Sequence, residues 1–240
     1  MCAVDRGPAL IQHDLIITHN SAVVAVFGRR HSHLAVGNNI LVGRGGSLIM
    51  GCEWKRIHGR PIFPCVDDPH PGHPTLSSRE LVRGDIIAIH ALGVVVHNSA
   101  IGHDIVQLTG GGGVTCKPVG IFVRFGSPVY SDYEDNLIGG SVWVKSLRSC
   151  WFGAIRNWVG GSMTISRNRM ADPDAMEVTT NVVLQDLTCY RNRHRVQFGD
   201  GHGRPNRVGR HAFYECGFHV ILPNPAHQHK HFSHISVHLH

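Results

Sequence analysis

Short apolar runs recur along the chain, and the clearest of them alternate with polar residues. Val142, Val144 and Leu147 alternate with Ser141, Trp143 and Lys145, and Met163 and Ile165 alternate with Ser162, Thr164 and Ser166. A period of two is that of a strand with one buried face. Apolar runs at 15–20, 23–27, 40–42, 47–50, 85–89, 93–98, 184–189 and 216–222 predict further strands. No window of comparable length has a helical period with caps. The chain reads as all-β.

The strands belong to a repeat. NLIGGSVWV (136–144) is echoed by NWVGGSMTI (157–165), and a degenerate copy opens at Asn181, so the period is 21 and then 24 residues. A unit of this size buries too little to stand alone, and its copies must stack. The Gly-Gly pair predicts a tight corner at φ > 0. The asparagine opening each unit is expected to stack on the asparagine one coil away, its amide satisfying corner backbone groups. Equal spacing without two-residue hairpin turns argues against an antiparallel meander. Residues 1–240 are therefore expected to form a single-domain parallel β-helix, right-handed by the crossover rule, with its most regular coils in 81–190. Three excursions interrupt it: 52–80 with five prolines, 118–135 rich in aromatics, and 198–211. Stretches this long inside a compact fold are usually functional or disordered. The first segment and a His-rich tail, 223–240, are candidates to cap the open strand edges; otherwise the ends stack chain on chain.

Composition narrows the setting. No apolar run reaches the 18 or so residues of a membrane span, and residues 1–20 lack the basic start and long apolar core of a leader. Charged residues are 17%, and glycine accounts for 28 of 240, a balance that fits a secreted β fold better than a cytosolic enzyme. The formal charge of +6 raises nucleic acid as a partner. The arginines fall singly between strands, however, with no basic run interleaved with aromatics, so nucleic acid is not expected. None of the seven cysteines forms CxxC, which excludes zinc ribbons and thioredoxin motifs. Six fall into neighbouring pairs, Cys52–Cys65, Cys116–Cys150 and Cys189–Cys216. Fifteen connectivities are open to six cysteines, and proximity alone picks this one. Bridges would imply an oxidising compartment; buried free thiols are the alternative. Cys2 is left over.

GVVVHNSAIGHD (93–104), GGGGVTC (110–116), FGSPVYSDYEDN (125–136), SCWFGAIRN (149–157), ADPDAMEVTTN (171–181), VQFGD (196–200) and CGFHVILPNP (216–225) resemble a group of uncharacterised secreted actinobacterial β-solenoid proteins with coils of the type NxVGGNVxV. The resemblance covers nearly the whole chain, most specifically 93–225. It implies an exported, disulfide-containing solenoid and no particular activity. The chain departs from that pattern where arginine and histidine replace Asn, Thr and Gly, as at Arg193, His194 and Arg195.

Chemistry is sparse. Carboxylates cluster at Asp132, Glu134 and Asp135, and at Asp172, Asp174 and Glu177. The last three are the catalytic candidates. A carboxylate pair beside Arg156 or Arg204 on one solenoid face would suit glycoside cleavage, and a carboxylate cluster suits Ca²⁺, although ADPDA also reads as an acidic turn. Gly110 to Gly113 lacks the GK[ST] and the helix of a phosphate loop. His227, His229 and His231 alternate, so on an extended segment they would share a face fit for a transition metal. Protonating all twenty histidines would take the formal charge from +6 to +26, so solubility and self-association are expected to change between about pH 7 and pH 5. Three functions compete. The leading one is an extracellular, non-enzymatic structural or adhesive solenoid without a cofactor, binding matrix, carbohydrate or copies of itself end to end. The second is a polysaccharide lyase or hydrolase. The third is a surface protein that binds metal through the His-rich tail.

Overall fold

The structure, a computed structural model, describes residues 1–27, 30–53, 56–57, 60–61, 78–197, 204–216 and 219–221, with 56–57, 60–61 and 219–221 as backbone alone. Three parallel sheets wrap one axis, and each regular coil adds a strand to each in turn. One coil supplies Gly93–His97, Ala100–Ile101 and Ile105–Leu108; its successor supplies Tyr130–Glu134, Leu137–Ile138 and Val142–Lys145. Among the described residues the first sheet has seven strands, from Cys2–Val4 to Met176–Thr179. The second has nine, from Pro8–Ile11 to His219–Ile221, and the third eight, from Leu15–Ile17 to Ala212–Tyr214. This is the parallel β-helix that the repeat predicts.

The alternating pattern places the core. Ile40, Ile86, Ile105, Val142, Met163 and Leu187 follow one another in register up the third sheet, all fully buried. Val82, Ile101, Ile138, Val159 and Val183 do the same in the second. A residue of similar size on each rung fills the same slot, so close packing is solved once and copied. One inward cluster is polar. Gln107 donates to Ser131 Oγ at 2.9 Å and accepts from Tyr133 Oη at 2.8 Å, which satisfies it inside the helix.

Hydrogen-bond ladders hold the corners. Between the first and second sheets, Asn136, Asn157, Asn181 and Asn206 stack. The backbone N–H and side-chain amide of each donate to Oδ1 of the next at 2.9–3.2 Å. Each amide also reaches a backbone carbonyl, as Asn157 Nδ2 does with Tyr133 O at 2.7 Å. A second ladder runs from Asn168 to Asn192 to Glu215. At the third corner Asp14, Asn39, Asp85 and Asp104 each accept the backbone N–H of the rung above. The Gly-Gly pairs act differently from the expectation. Gly139, Gly140 and Gly161 do not have positive φ; a Cβ on Gly139 would strike Gly102 O, and one on Gly161 would strike Ser141 Oγ and Gly140 O. Glycine there lets coils approach. The left-handed conformations fall on Asp135, Arg156 and Thr180, immediately before the ladder asparagines.

Two of the expected excursions are shorter than the sequence suggests. In 118–135 only the first part leaves the helix, through the one-turn segment Ile121–Phe125, because Tyr130–Glu134 is a strand of the first sheet. In 198–211, Asn206–Val208 is a strand of the second. In 52–80, Arg56–Ile57 pairs antiparallel with Arg60–Pro61. Cys116–Cys150 and Cys189–Cys216 are bridged, Cys52 is buried, and Cys2 is free and exposed. Cys65, and His227, His229 and His231, lie outside the described residues. Among the described residues no helix is long and apolar enough to cross a membrane.

Candidate functional site

The first sheet carries the ionisable groups on its outer face. In Tyr130–Glu134, Ser131 and Tyr133 turn inward, which sends Asp132 and Glu134 out. Register then builds two outward columns: Val95, Asp132, Gly153 and Glu177, beside His97, Glu134, Ile155 and Thr179. Ile121 and Phe122 of the one-turn helix pack with Ile49, Val95 and Tyr130 over part of this face, with the Phe122 and Tyr130 rings edge to face at 5.5 Å. The ionisable groups are sealed from solvent. His97, Asp132, Glu134, Asp135, Arg156 and Glu177 are each at most 5% exposed.

The geometry is that of a charge network. His97 Nε2 lies 2.7 Å from Asp132 Oδ2, and its Nδ1 lies 3.6 Å from Glu134 Oε2. When protonated, the ring is therefore held between two carboxylates. Arg156 donates from Nε to Asp135 Oδ1 at 2.7 Å and from Nη2 to Asp135 Oδ2 at 2.9 Å, a forked pair, and Nη2 also donates to Glu134 Oε1. Such charge-assisted forks are among the strong hydrogen bonds of proteins. Glycine at 153 makes the columns possible, because a Cβ would strike Asp132 Oδ1 and the Trp151 ring. Burial pushes the Tyr133 hydroxyl well above its ordinary value and the Asp132 charge adds to this, so Tyr133 remains a neutral donor to Gln107. His97, Asp132 and Glu134 also offer one nitrogen and two oxygens within 4.8 Å of one another. That donor set suits zinc or manganese better than calcium.

Of the catalytic candidates, Glu177 joins this face and the other two do not. Asp172 and Asp174 are exposed in a turn, where Asp172 Oδ1 accepts Asp174 N at 3.0 Å and Gln197 Nε2 donates to Asp174 Oδ1 at 2.9 Å. Arg156 belongs to the network. Arg204 is exposed, its carbonyl accepting from Thr179. His97 had no signal of its own in the sequence. It meets Glu134 across a coil lengthened by the 118–129 excursion, so their separation matches no repeat period.

The third sheet has the opposite character. Ile16, Leu41, Ile87, Val106 and Trp143 form one outward column, which Thr164, Thr188 and Phe213 continue. Ile16 is 62% exposed, Trp143 38% and Phe213 44%. Comparison of the chain with family models, curated proteins and solved structures returned no match.

Proposed function

We propose that the protein is a non-enzymatic, extracellular β-solenoid that adheres to carbohydrate or matrix through the outer face of its third sheet. One observation carries this reading: a file of apolar and aromatic side chains, half-buried to exposed, stands in register along the outer face of a parallel sheet. Aromatic rings on such a face suit the apolar faces of sugars in an extended polymer. The two disulfides support an oxidising compartment. The test is retention on insoluble neutral polysaccharides, with Trp143→Ala/Phe213→Ala as the variant. About a tenfold loss of affinity, roughly 1.4 kcal/mol, is expected. Undiminished retention by the variant would refute the assignment of the face.

A second reading has its own support, because Asp132, Glu134, Glu177 and Arg156 gather on one face as a polysaccharide lyase or hydrolase requires. Their burial weighs against it, since a polymer chain cannot reach carboxylates closed off from water. Incubation with acidic polysaccharides should release neither new reducing ends nor unsaturated products; release of either, lost in Glu177→Gln, would favour the enzyme.

A further inference from the structure

The arginines that stand singly in the sequence meet in space. Arg148 and Arg169 are register partners in a short parallel pair, and Arg169 pairs in turn with Arg193. The three form one file on successive rungs, about 4.8 Å apart. A second file runs beside it. Arg167 and Arg191 each precede a rung of the second ladder, Asn168 and Asn192, and both are left-handed, with φ of 58° and 54°. Arg195 follows closely in the chain. All six are exposed, and among the described residues none forms an ion pair or a side-chain hydrogen bond.

Among the described residues, three acids that follow these arginines in the chain make hydrogen bonds of their own. Glu215 turns its carboxylate into the corner, where it accepts Asn192 N at 3.1 Å and Asn192 Nδ2 at 3.0 Å. Asp172 and Asp174 are engaged in their own turn. Arg167, Arg191 and Arg195 line a cleft of about 990 Å³ together with Tyr190, Tyr214 and Glu215, three cations against one acid. The two rings lie 6.0 Å apart, and Tyr214 is 80% exposed. Like charges held one rung apart repel, and among the described residues no ion pair relieves them.

We propose that this corner is a binding site for an anionic polysaccharide, a polymer of uronic acid or sulfated sugars, laid along the solenoid axis. Guanidinium groups fork onto carboxylate and sulfate, while the tyrosine rings supply faces for the sugars between them. A nucleic acid could use the same cations and rings. The carbohydrate is favoured because the Cys189–Cys216 bridge pins the coil that carries Tyr190, Arg191 and Tyr214, and disulfides belong to oxidising compartments. The site rests on the extracellular reading above and names a ligand chemistry for it.

The experiment is calorimetric titration of the whole chain with polygalacturonate, dextran sulfate, neutral dextran and single-stranded DNA at several salt concentrations. The variants are Arg148→Gln/Arg169→Gln/Arg193→Gln and Arg167→Asn/Arg191→Asn, asparagine being tolerant of the left-handed conformation. Trp143→Ala serves as the control on the other face. Both polyanions should bind with affinity that falls as salt rises, any binding of neutral dextran should be the same in the arginine variants as in the native chain, and each arginine variant should lose tenfold or more in polyanion affinity while its circular dichroism is unchanged. Equal binding by the variants would overturn the proposal, reducing the effect to overall charge. Tighter binding of DNA than of either polysaccharide would overturn the choice of ligand. Loss of neutral-polymer retention in Trp143→Ala, with uronate binding intact, separates the third-sheet face from the arginine corner. Failure of one then leaves the other standing.

Discussion

Replacing Glu80 by glutamine should remove a pH dependence that the native chain carries in one of its ladders. Leu81 pairs with Ala100 above and Ala35 below, so Glu80 stands in line with Ser99 and Leu34, on the asparagine corner. Its Oε2 accepts Leu34 N at 2.6 Å, the bond an asparagine makes higher up. The side chain is 2% exposed, and Oε1 has no hydrogen-bond partner among the described residues. Burial pushes the carboxyl from 4.5 up to about 8, with the Leu34 bond opposing it. In the unfolded chain Glu80 loses its proton near 4.5; in the folded chain it keeps that proton until about pH 8. Between those values the folded state binds more protons, so stability falls as pH rises and levels off above about 8. At 1.36 kcal/mol per pH unit the full penalty is about 5 kcal/mol, a large share of the roughly 5–15 kcal/mol that holds a domain together. Glutamine keeps the acceptor for Leu34 and cannot ionise, but it strands two amide N–H donors where the protonated acid strands one O–H, a difference of about 1–3 kcal/mol. The native chain should therefore be the more stable at pH 5 and the variant the more stable at pH 9, with the curves crossing between. Urea midpoints and slopes for both proteins across that range are the assay, and their difference cancels the histidines common to both. Parallel curves would mean that Glu80 ionises freely in the fold and would refute the reasoning.

Three further outcomes follow from the same geometry. Asn157→Ala should cost roughly 3 kcal/mol or more in urea unfolding, because it strands Asn136 N, Tyr133 O and the Asn136 amide in a buried corner; a cost below about 1 kcal/mol would mean that the ladder contributes little. Arg156→Met should destabilise by about 3–5 kcal/mol by leaving Asp135 and Glu134 buried without their shared cation, and Arg156→Lys should recover only part of this because it lacks the fork. Exchanging both Cys189 and Cys216 for serine should lower stability by about 3–4 kcal/mol for a loop of 27 residues, with hydrogen exchange rising first in Leu187–Tyr190 and Asn206–Val208.

The parts of the fold legible in the sequence are those where one residue type repeats at one register. Asn136, Asn157 and Asn181 share an identity, a spacing and a following Gly or strand, so both the ladder and the coil follow from the period. The third corner makes equivalent bonds with Asp14, Asn39, Asp85 and Asp104, and its mixed chemistry hid it. The charge network was concealed by its own interior. Tyr130–Glu134 lacks an apolar alternation because its inward residues, Ser131 and Tyr133, are matched to an inward Gln107. With Pro128 just before it, the segment resembles a loop. Asp132 and Glu134 therefore read as loop acids instead of outward residues of a strand. Asp172 and Asp174 were singled out by proximity in sequence, yet the bonds they make shape a turn.

The arginines are the sharper lesson, because the information was present in the sequence. In a solenoid, a sequence separation equal to one coil is adjacency in space. Arg148, Arg169 and Arg193 are separated by 21 and 24 residues, and Arg167 and Arg191 by 24, the same intervals that separate the ladder asparagines. Scattered by ones in the chain, they become files in the fold. The fold has a ready means of neutralising such a file, used at the other corner. Asp135 and Arg156 each precede a rung of the first ladder, one coil apart, and opposite charges at equivalent positions close into a forked pair. A chain answerable only to stability would place an acid at 167 or 169 in the same way. Arginine recurs there instead, exposed and without an ion pair among the described residues, beside a cleft with two tyrosines. That contrast between two corners of one solenoid is what a polyanionic ligand explains and packing does not.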